Sequence, residues 1–69
     1  MTEALTELTR RELQVAELIA DGASNKEAGR RLGISPRTVE LHRAHIMEKL
    51  GARNAADLVR IVISRSLRR

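Results

Sequence analysis

The joint Gly33-Ile34-Ser35 constrains the fold of this chain more than any other feature. Its glycine ends a short helix predicted over 25 to 32, because glycine adopts the left-handed conformation that other residues resist. Its serine is an N-cap followed by Pro36 at the first helical position, which predicts a longer helix over 36 to 50. A turn of about three residues forces two such helices to cross steeply, with the side chain of Ile34 inside the crossing.

The same kinds of signal delimit two further helices. Capping boxes of the form S/T-x-x-E begin at Thr9 and Ser24, and the first one opens an apolar periodicity that predicts a helix over 10 to 21. Asn54 is the expected N-cap of a last helix, over 55 to 67. The sequence has no strand pattern and no internal repeat. The predicted fold class is therefore all-α, a four-helix bundle that contains a helix-turn-helix.

The length of the chain allows one small domain with a single modest core. We expect this domain to span 1–69, with the ends 1–6 and 68–69 frayed. The core must be aliphatic, because the chain contains no Phe, Tyr or Trp. The residues predicted to supply most of it are Leu13, Val15 or Ala16, Ile19, Leu32, Ile34, Val39, His42, Ile46, Leu50, Leu58 and Val62.

The composition favours a polyanionic partner. Thirteen Lys and Arg against nine Asp and Glu give a net charge of +4, and eleven of the thirteen are arginines, whose planar guanidinium suits phosphates and guanine edges. Without aromatic residues, the chain cannot hold single-stranded nucleic acid by base stacking. No apolar run approaches the ~20 residues that span a bilayer, no signal-peptide pattern is present, and cysteine is absent. We therefore expect a cytoplasmic protein.

At 100° per residue, the longest predicted helix has two distinct sides. The side expected to pack carries Val39, His42, Ile46 and Leu50. The side expected to face outward carries Arg37, Leu41, Ala44, His45 and Glu48. In the preceding helix, the small residues Ala28 and Gly29 predict a close approach between the two helices. A helix that projects one face in this way is suited to the major groove of DNA.

The pattern LTxRExxV…GxSNKExxxxLGISPRTVExHRxxIMxKLGA resembles the DNA-binding output domain of LuxR-type regulators, and most of all the branch found in FixJ-type response regulators. The resemblance runs from about Leu8 to Ile63. It implies that the third helix is the recognition helix and that the fourth forms a dimer contact. It also implies double-stranded DNA, RNA polymerase and a receiver domain as partners. No receiver lies within these 69 residues, so the chain is either an isolated output domain or a free-standing one.

The resemblance assigns DNA contacts residue by residue. The positions that match base-reading residues are Glu40, Leu41, Ala44 and His45. The positions expected to contact the DNA backbone are Arg37, Thr38, Arg43 and Lys49, with Lys26 and Arg30 on the same flank. An alternative interpretation of Arg30 and Arg31 is a solvated helix face. The chain departs from the family pattern at Ala28-Gly29, which predicts a second helix looser by ~1 kcal/mol, and at His45, where Asn is common.

The last helix carries apolar residues on most of its circumference, more than one helix can bury against three neighbours. Leu58 and Val62 are expected in the core, and something else must cover the surplus. Together with the dimer contact that the resemblance implies, this surplus predicts a homodimer interface formed by Val59, Ile61 and Ile63.

No catalytic, cofactor or metal site is predicted. His42 and His45 diverge by about 60° around the helix, and with Glu48 they lack a fourth metal ligand. No nucleophile-base-acid set is present, so we interpret the chain as a non-enzyme. Three functions stay open: a dimeric, sequence-specific transcriptional regulator; a promoter-reading domain of a sigma-type factor, which contacts RNA polymerase and needs no dimer; and a dimeric protein-interaction module without DNA binding.

Overall fold

The computed structural model describes residues 7–66, and these form four helices and no strand. In chain order the helices are α1 (Arg10–Ala20), α2 (Asn25–Leu32), α3 (Pro36–Leu50) and α4 (Ala55–Ser66). The predicted all-α fold and its helices are confirmed, although α1 ends one residue early, with Asp21 as its C-cap. Leu67 and the ends predicted to be frayed, 1–6 and 68–69, lie outside the described residues.

The first two helices begin at the capping residues that the sequence predicts. Thr9 Oγ1 accepts a hydrogen bond from the Glu12 N–H at 3.1 Å, and the Glu12 carboxylate accepts one from the Thr9 N–H at 3.0 Å, which completes the capping box. Ser24 Oγ accepts from the Glu27 N–H in the same way. The reciprocal half of this second box was wrong, because the Glu27 carboxylate instead accepts from Arg31 at 3.3 Å, one turn further along α2.

The predicted cap of α4 is also confirmed. Asn54 Oδ1 accepts from the Asp57 N–H at 2.8 Å, and the Asp57 carboxylate accepts from the Arg53 N–H at 3.1 Å. Hydrogen bonds from the Arg60 guanidinium and from the Arg53 N–H hold the pKa of Asp57 below its ordinary value. At the start of α4, the acidic side chain of Asp57 therefore lies between two arginines.

The turn between α2 and α3 depends on two glycines. Gly33 adopts the left-handed conformation, with φ of 72°, and its N–H donates to the Gly29 carbonyl. The Ile34 N–H donates to the same carbonyl at 2.9 Å. A Cβ atom on Gly29 would lie 2.6 Å from the carbonyl oxygen of Ile34 and 3.3 Å from the nitrogen of Pro36. The close approach predicted from the small residues of α2 is confirmed, and Gly29 makes it at the turn itself.

The core lies where the four helices meet. Its buried residues are Val15, Ala16, Ile19, Ala28, Val39, Ile46, Leu58 and Val62. Leu32, Ile34 and Leu50 are partly buried and pack against this cluster. The core prediction was wrong for Leu13 and His42, which are only partly buried and lie outside it. His42 is about 60° around α3 from Val39, at the margin of the buried stripe rather than inside it.

Candidate nucleic-acid interface

The side of α3 opposite the core is open to solvent. Val39 and Ile46 are fully buried on one side. The exposed residues of α3 include Arg37, Glu40, Leu41, Ala44, His45 and Glu48. The outward orientation predicted for Arg37, Leu41, Ala44, His45 and Glu48 is confirmed, whereas the DNA contacts assigned to this side of α3 remain predictions.

Leu41 is the unusual member of this face. Its side chain is 51% exposed in the middle of a helix, between the polar residues Glu40 and His42. Among residues 7–66, Ile63 on α4 is the other large apolar residue with comparable exposure. Contact between such a side chain and a partner is favourable in free energy, because it removes apolar surface from water.

The first turn of α3 uses most of its hydrogen-bonding groups internally. Ser35 Oγ accepts from the Thr38 N–H at 3.1 Å, and the two hydroxyls lie 3.0 Å apart. Pro36 has no N–H to offer. These contacts leave the Arg37 N–H for a ligand, together with the Thr38 hydroxyl when Ser35 is the donor of the pair. The phosphate contact predicted for Thr38 therefore depends on the direction of that hydrogen bond.

The cations assigned to the DNA backbone have different surroundings. Lys26 and Arg30 lie exposed on α2. Arg37 lies 3.9 Å from the Glu40 carboxylate, with both side chains well exposed, so that this ion pair is weak and easily exchanged for a phosphate. Arg43 is partly buried and donates from Nη1 to Asn25 Oδ1 at 2.7 Å. Sequence reasoning missed Asn25, because its partner is 18 residues away and no local pattern links them.

The ammonium group of Lys49 forms hydrogen bonds within its own domain. Its Nζ donates to Glu12 Oε1 at 2.7 Å and to the Glu7 carbonyl at 3.3 Å. The Glu12 side chain is only 7% exposed, and the hydrogen bond from Lys49, followed by that from the Thr9 N–H, lowers the pKa of Glu12. This internal use of the ammonium argues against the DNA-backbone role predicted for Lys49. The sequence identified Glu12 only as a capping residue and not as a buried partner.

The three residues predicted to form a dimer interface do not share one face of α4. Val59 and Ile63 are four residues apart and lie on one stripe, whereas Ile61 is two residues from each and lies on the other side. Val59 is partly buried against the core, Ile61 is also partly buried, and Ile63 is 41% exposed. The stripe available to a partner is therefore centred on Ile63 and excludes Ile61.

Within residues 7–66, no helix combines the length and the hydrophobicity of a transmembrane span. In the same part of the chain, the structure brings no three His, Cys, Asp or Glu side chains together in a group that suits a metal ion.

Comparison with known proteins gives consistent similarities. Residues 6–62 match the family described as "Bacterial regulatory proteins, luxR family". The chain is 55% identical over 53 residues to the transcriptional regulatory protein UhpA of Escherichia coli strain K12, covering 77% of this chain and 27% of UhpA. It is 41% identical over 66 residues to the oxygen regulatory protein NreC of Staphylococcus aureus strain JH9, covering 96% of this chain and 30% of NreC.

A solved structure gives the same result for the fold. The crystal structure of full-length FixJ from B. japonicum superposes with a TM-score of 0.83 at 38% identity, covering 94% of this chain and 32% of FixJ. The chain therefore spans about a third or less of the length of these proteins.

Proposed function

Since the chain belongs to the luxR family of bacterial regulatory proteins, we propose that it regulates transcription by binding duplex DNA, with α3 as the recognition helix in the major groove. One observation carries the proposal: α3 buries Val39 and Ile46 while it exposes a continuous face that contains Glu40, Leu41 and Ala44. An exposed helix face held rigidly by its own buried side is what reading of base edges requires.

The chemistry of this face suits base pairs. The Glu40 carboxylate accepts hydrogen bonds and matches the amine of cytosine, and the side chains of Leu41 and Ala44 match the methyl group of thymine. The His45 imidazole can donate or accept and is the fourth base-reading candidate. Arg37 and Arg43, with Lys26 and Arg30 on α2, supply the charge that attracts phosphates. Lys49, the remaining cation predicted for this set, differs from the others because its ammonium already donates to Glu12.

The domain is proposed to act as a pair. One small domain inserts one helix and makes few phosphate contacts, which gives limited selectivity. Contact between two copies through Val59 and Ile63 would relate two recognition helices by a two-fold axis, and the DNA site would then be an inverted repeat with half-sites about one helical turn apart. The stripe is small, so we expect the pair to form on DNA or with help from further contacts.

The longer relatives suggest the kind of protein in which this domain acts. UhpA is named a transcriptional regulatory protein, NreC an oxygen regulatory protein, and each is more than three times as long as the matched part. We propose that this chain serves as the output domain of a two-component response regulator in the cytoplasm, with a receiver domain and RNA polymerase as further partners. We assign it no catalytic role and no cofactor.

A mobility-shift titration against a pool of random duplexes tests the proposal. We expect retention of a limited set of sequences at moderate salt and general retention at low salt, because backbone contacts weaken as salt rises whereas base contacts select. Ala44→Glu should abolish retention, and Ala55→Glu is the matched control, since it makes the same change at an exposed alanine of α4.

Two outcomes would replace the proposal. Retention only in the presence of RNA polymerase would favour the sigma-type promoter reader. Self-association without retention of any duplex would favour the protein-interaction module.

A further inference from the structure

A hydrogen bond between the side chains of Asn25 and Arg43 joins α2 to α3. Arg43 Nη1 donates to Asn25 Oδ1 at 2.7 Å, and both residues are partly buried. Asn25 is the first residue of α2, and Arg43 lies in the middle of α3. One hydrogen bond therefore fixes the end of a long, flexible side chain at the junction of the two helices.

The partner of Arg43 is neutral. Several other cations of the domain lie beside carboxylates: Arg31 beside Glu27, Arg37 beside Glu40, Lys49 beside Glu12, and Arg53 and Arg60 beside Asp57. A carboxylate partner cancels the charge of its cation, whereas an amide oxygen orients a guanidinium and leaves the charge in place. Arg43 thus stays a full positive charge in one position, with four of its five N–H donors still available to other acceptors.

We propose that Asn25 is a positioning residue for DNA binding, one that holds the Arg43 guanidinium ready for a phosphate of the DNA backbone. The inference rests on the proposed function and deepens it by adding a residue that the family resemblance did not assign. Ordering a flexible side chain opposes binding, and a side chain that is already ordered avoids most of that cost. Asn25 acts through Arg43 and not by touching DNA itself.

A double-mutant cycle on DNA affinity tests the inference. Asn25→Ala, Arg43→Ala and the double variant are titrated by fluorescence anisotropy against a duplex selected from the random pool and against an unselected duplex, at several salt concentrations. Asn25→Ala should weaken binding to both duplexes about 2- to 10-fold, the range that corresponds to immobilising one side chain. In the Arg43→Ala background the same change should have no further effect.

The salt dependence separates positioning from loss of charge. Asn25→Ala keeps every cation, so the slope of log affinity against log salt should stay as in the parent. Arg43→Ala removes a phosphate contact and should make the slope shallower by about 0.9. Asn25→Asp keeps the shape of the side chain but neutralises Arg43, and it should weaken binding more than Asn25→Ala and make the slope shallower as well.

Two controls separate an effect on DNA binding from an effect on folding. Asn54→Ala removes an asparagine from the start of α4, and it should lower the urea midpoint without changing the DNA affinity of the folded domain. Urea midpoints for the Asn25 variants define conditions in which every variant is folded.

Two results would overturn the positioning role: unchanged affinity in folded Asn25→Ala, or an Asn25→Ala effect that persists undiminished in the Arg43→Ala background. Failure of the parent to bind either duplex is a different result, and it would overturn the proposed function.

Discussion

Glu12 and Lys49 tie the start of α1 to the last turn of α3 across 37 residues of sequence, with 2.7 Å between Oε1 and Nζ. The acid is buried and the base reaches solvent, since their side chains are 7% and 35% exposed. The same carboxylate accepts from the Thr9 N–H. A single side chain thus caps α1 and anchors the proposed recognition helix, and it stays ionised because its partner compensates the cost of burying a charge.

Glu12→Gln should destabilise the domain at neutral pH by about 1.5–3 kcal/mol, because it removes the negative charge of the group that accepts hydrogen bonds from the Lys49 ammonium and the Thr9 N–H. The loss should also depend on pH. The folded-state pKa of Glu12 is lowered, so the parent has the full contribution above the unfolded-state pKa and loses it as pH falls through the folded-state pKa. Urea denaturation from pH 7 downward should show parent and variant converging in acid. Glu48→Gln, at an exposed residue of α3, is the control, and its stability should stay close to that of the parent at every pH. A stability difference that disappears in acid for Glu48→Gln but not for Glu12→Gln would contradict the assignment.

Ile46→Ala should lower the free energy of unfolding by about 2–4 kcal/mol, because Ile46 is fully buried and truncation leaves a cavity. Leu41→Ala removes a comparable side chain from the exposed face of the same helix and should change stability by less than about 0.5 kcal/mol. Urea midpoints measure both changes. Equal costs at the two positions would show that the faces of α3 are assigned wrongly.

Leu41→Ala and Glu40→Ala should change which sequences the domain prefers, by about 1–3 kcal/mol at one base pair each, because they remove contacts to base edges. Arg37→Ala should instead weaken binding to selected and random duplexes by similar factors, since backbone contacts carry little sequence information. Selection from a random pool, repeated for each variant, measures the preference. The assignment fails if Arg37→Ala alters the preferred sequence while the other two change only the overall affinity.

Ile63→Glu should abolish cooperative occupation of two half-sites and leave the monomer folded, because the new charge is buried only when two copies pair. The structure makes Ile63 a cleaner test than Val59, which packs partly against the core of its own domain. Ser64→Glu is the control, since it places the same charge at the next exposed residue of α4, about 100° away. Footprinting on an inverted repeat measures the effect, and undiminished protection with Ile63→Glu would remove α4 from the mechanism.

Local signals in the chain predict the four helices and the side of α3 that faces solvent. Caps such as Thr9 and Ser35 act on N–H groups three residues ahead, and Gly33 ends its helix through its own left-handed backbone. These effects are local, and a period of 3.6 residues separates the buried side of α3 from the exposed one. The core prediction was wrong at margins of the buried stripes, as at His42, because periodicity alone does not say how wide a buried stripe is.

Which polar side chains meet depends on how the four helices pack. The bond from Arg43 to Asn25 joins residues 18 apart, and the bond from Lys49 to Glu12 joins residues 37 apart. The first bond pairs Arg43 with a neutral amide, and the second pairs Lys49 with a carboxylate, although Arg43 and Lys49 are both basic residues of α3. Their difference arises from the distances between packed helices, which depend on the whole core and which no local pattern in the chain encodes.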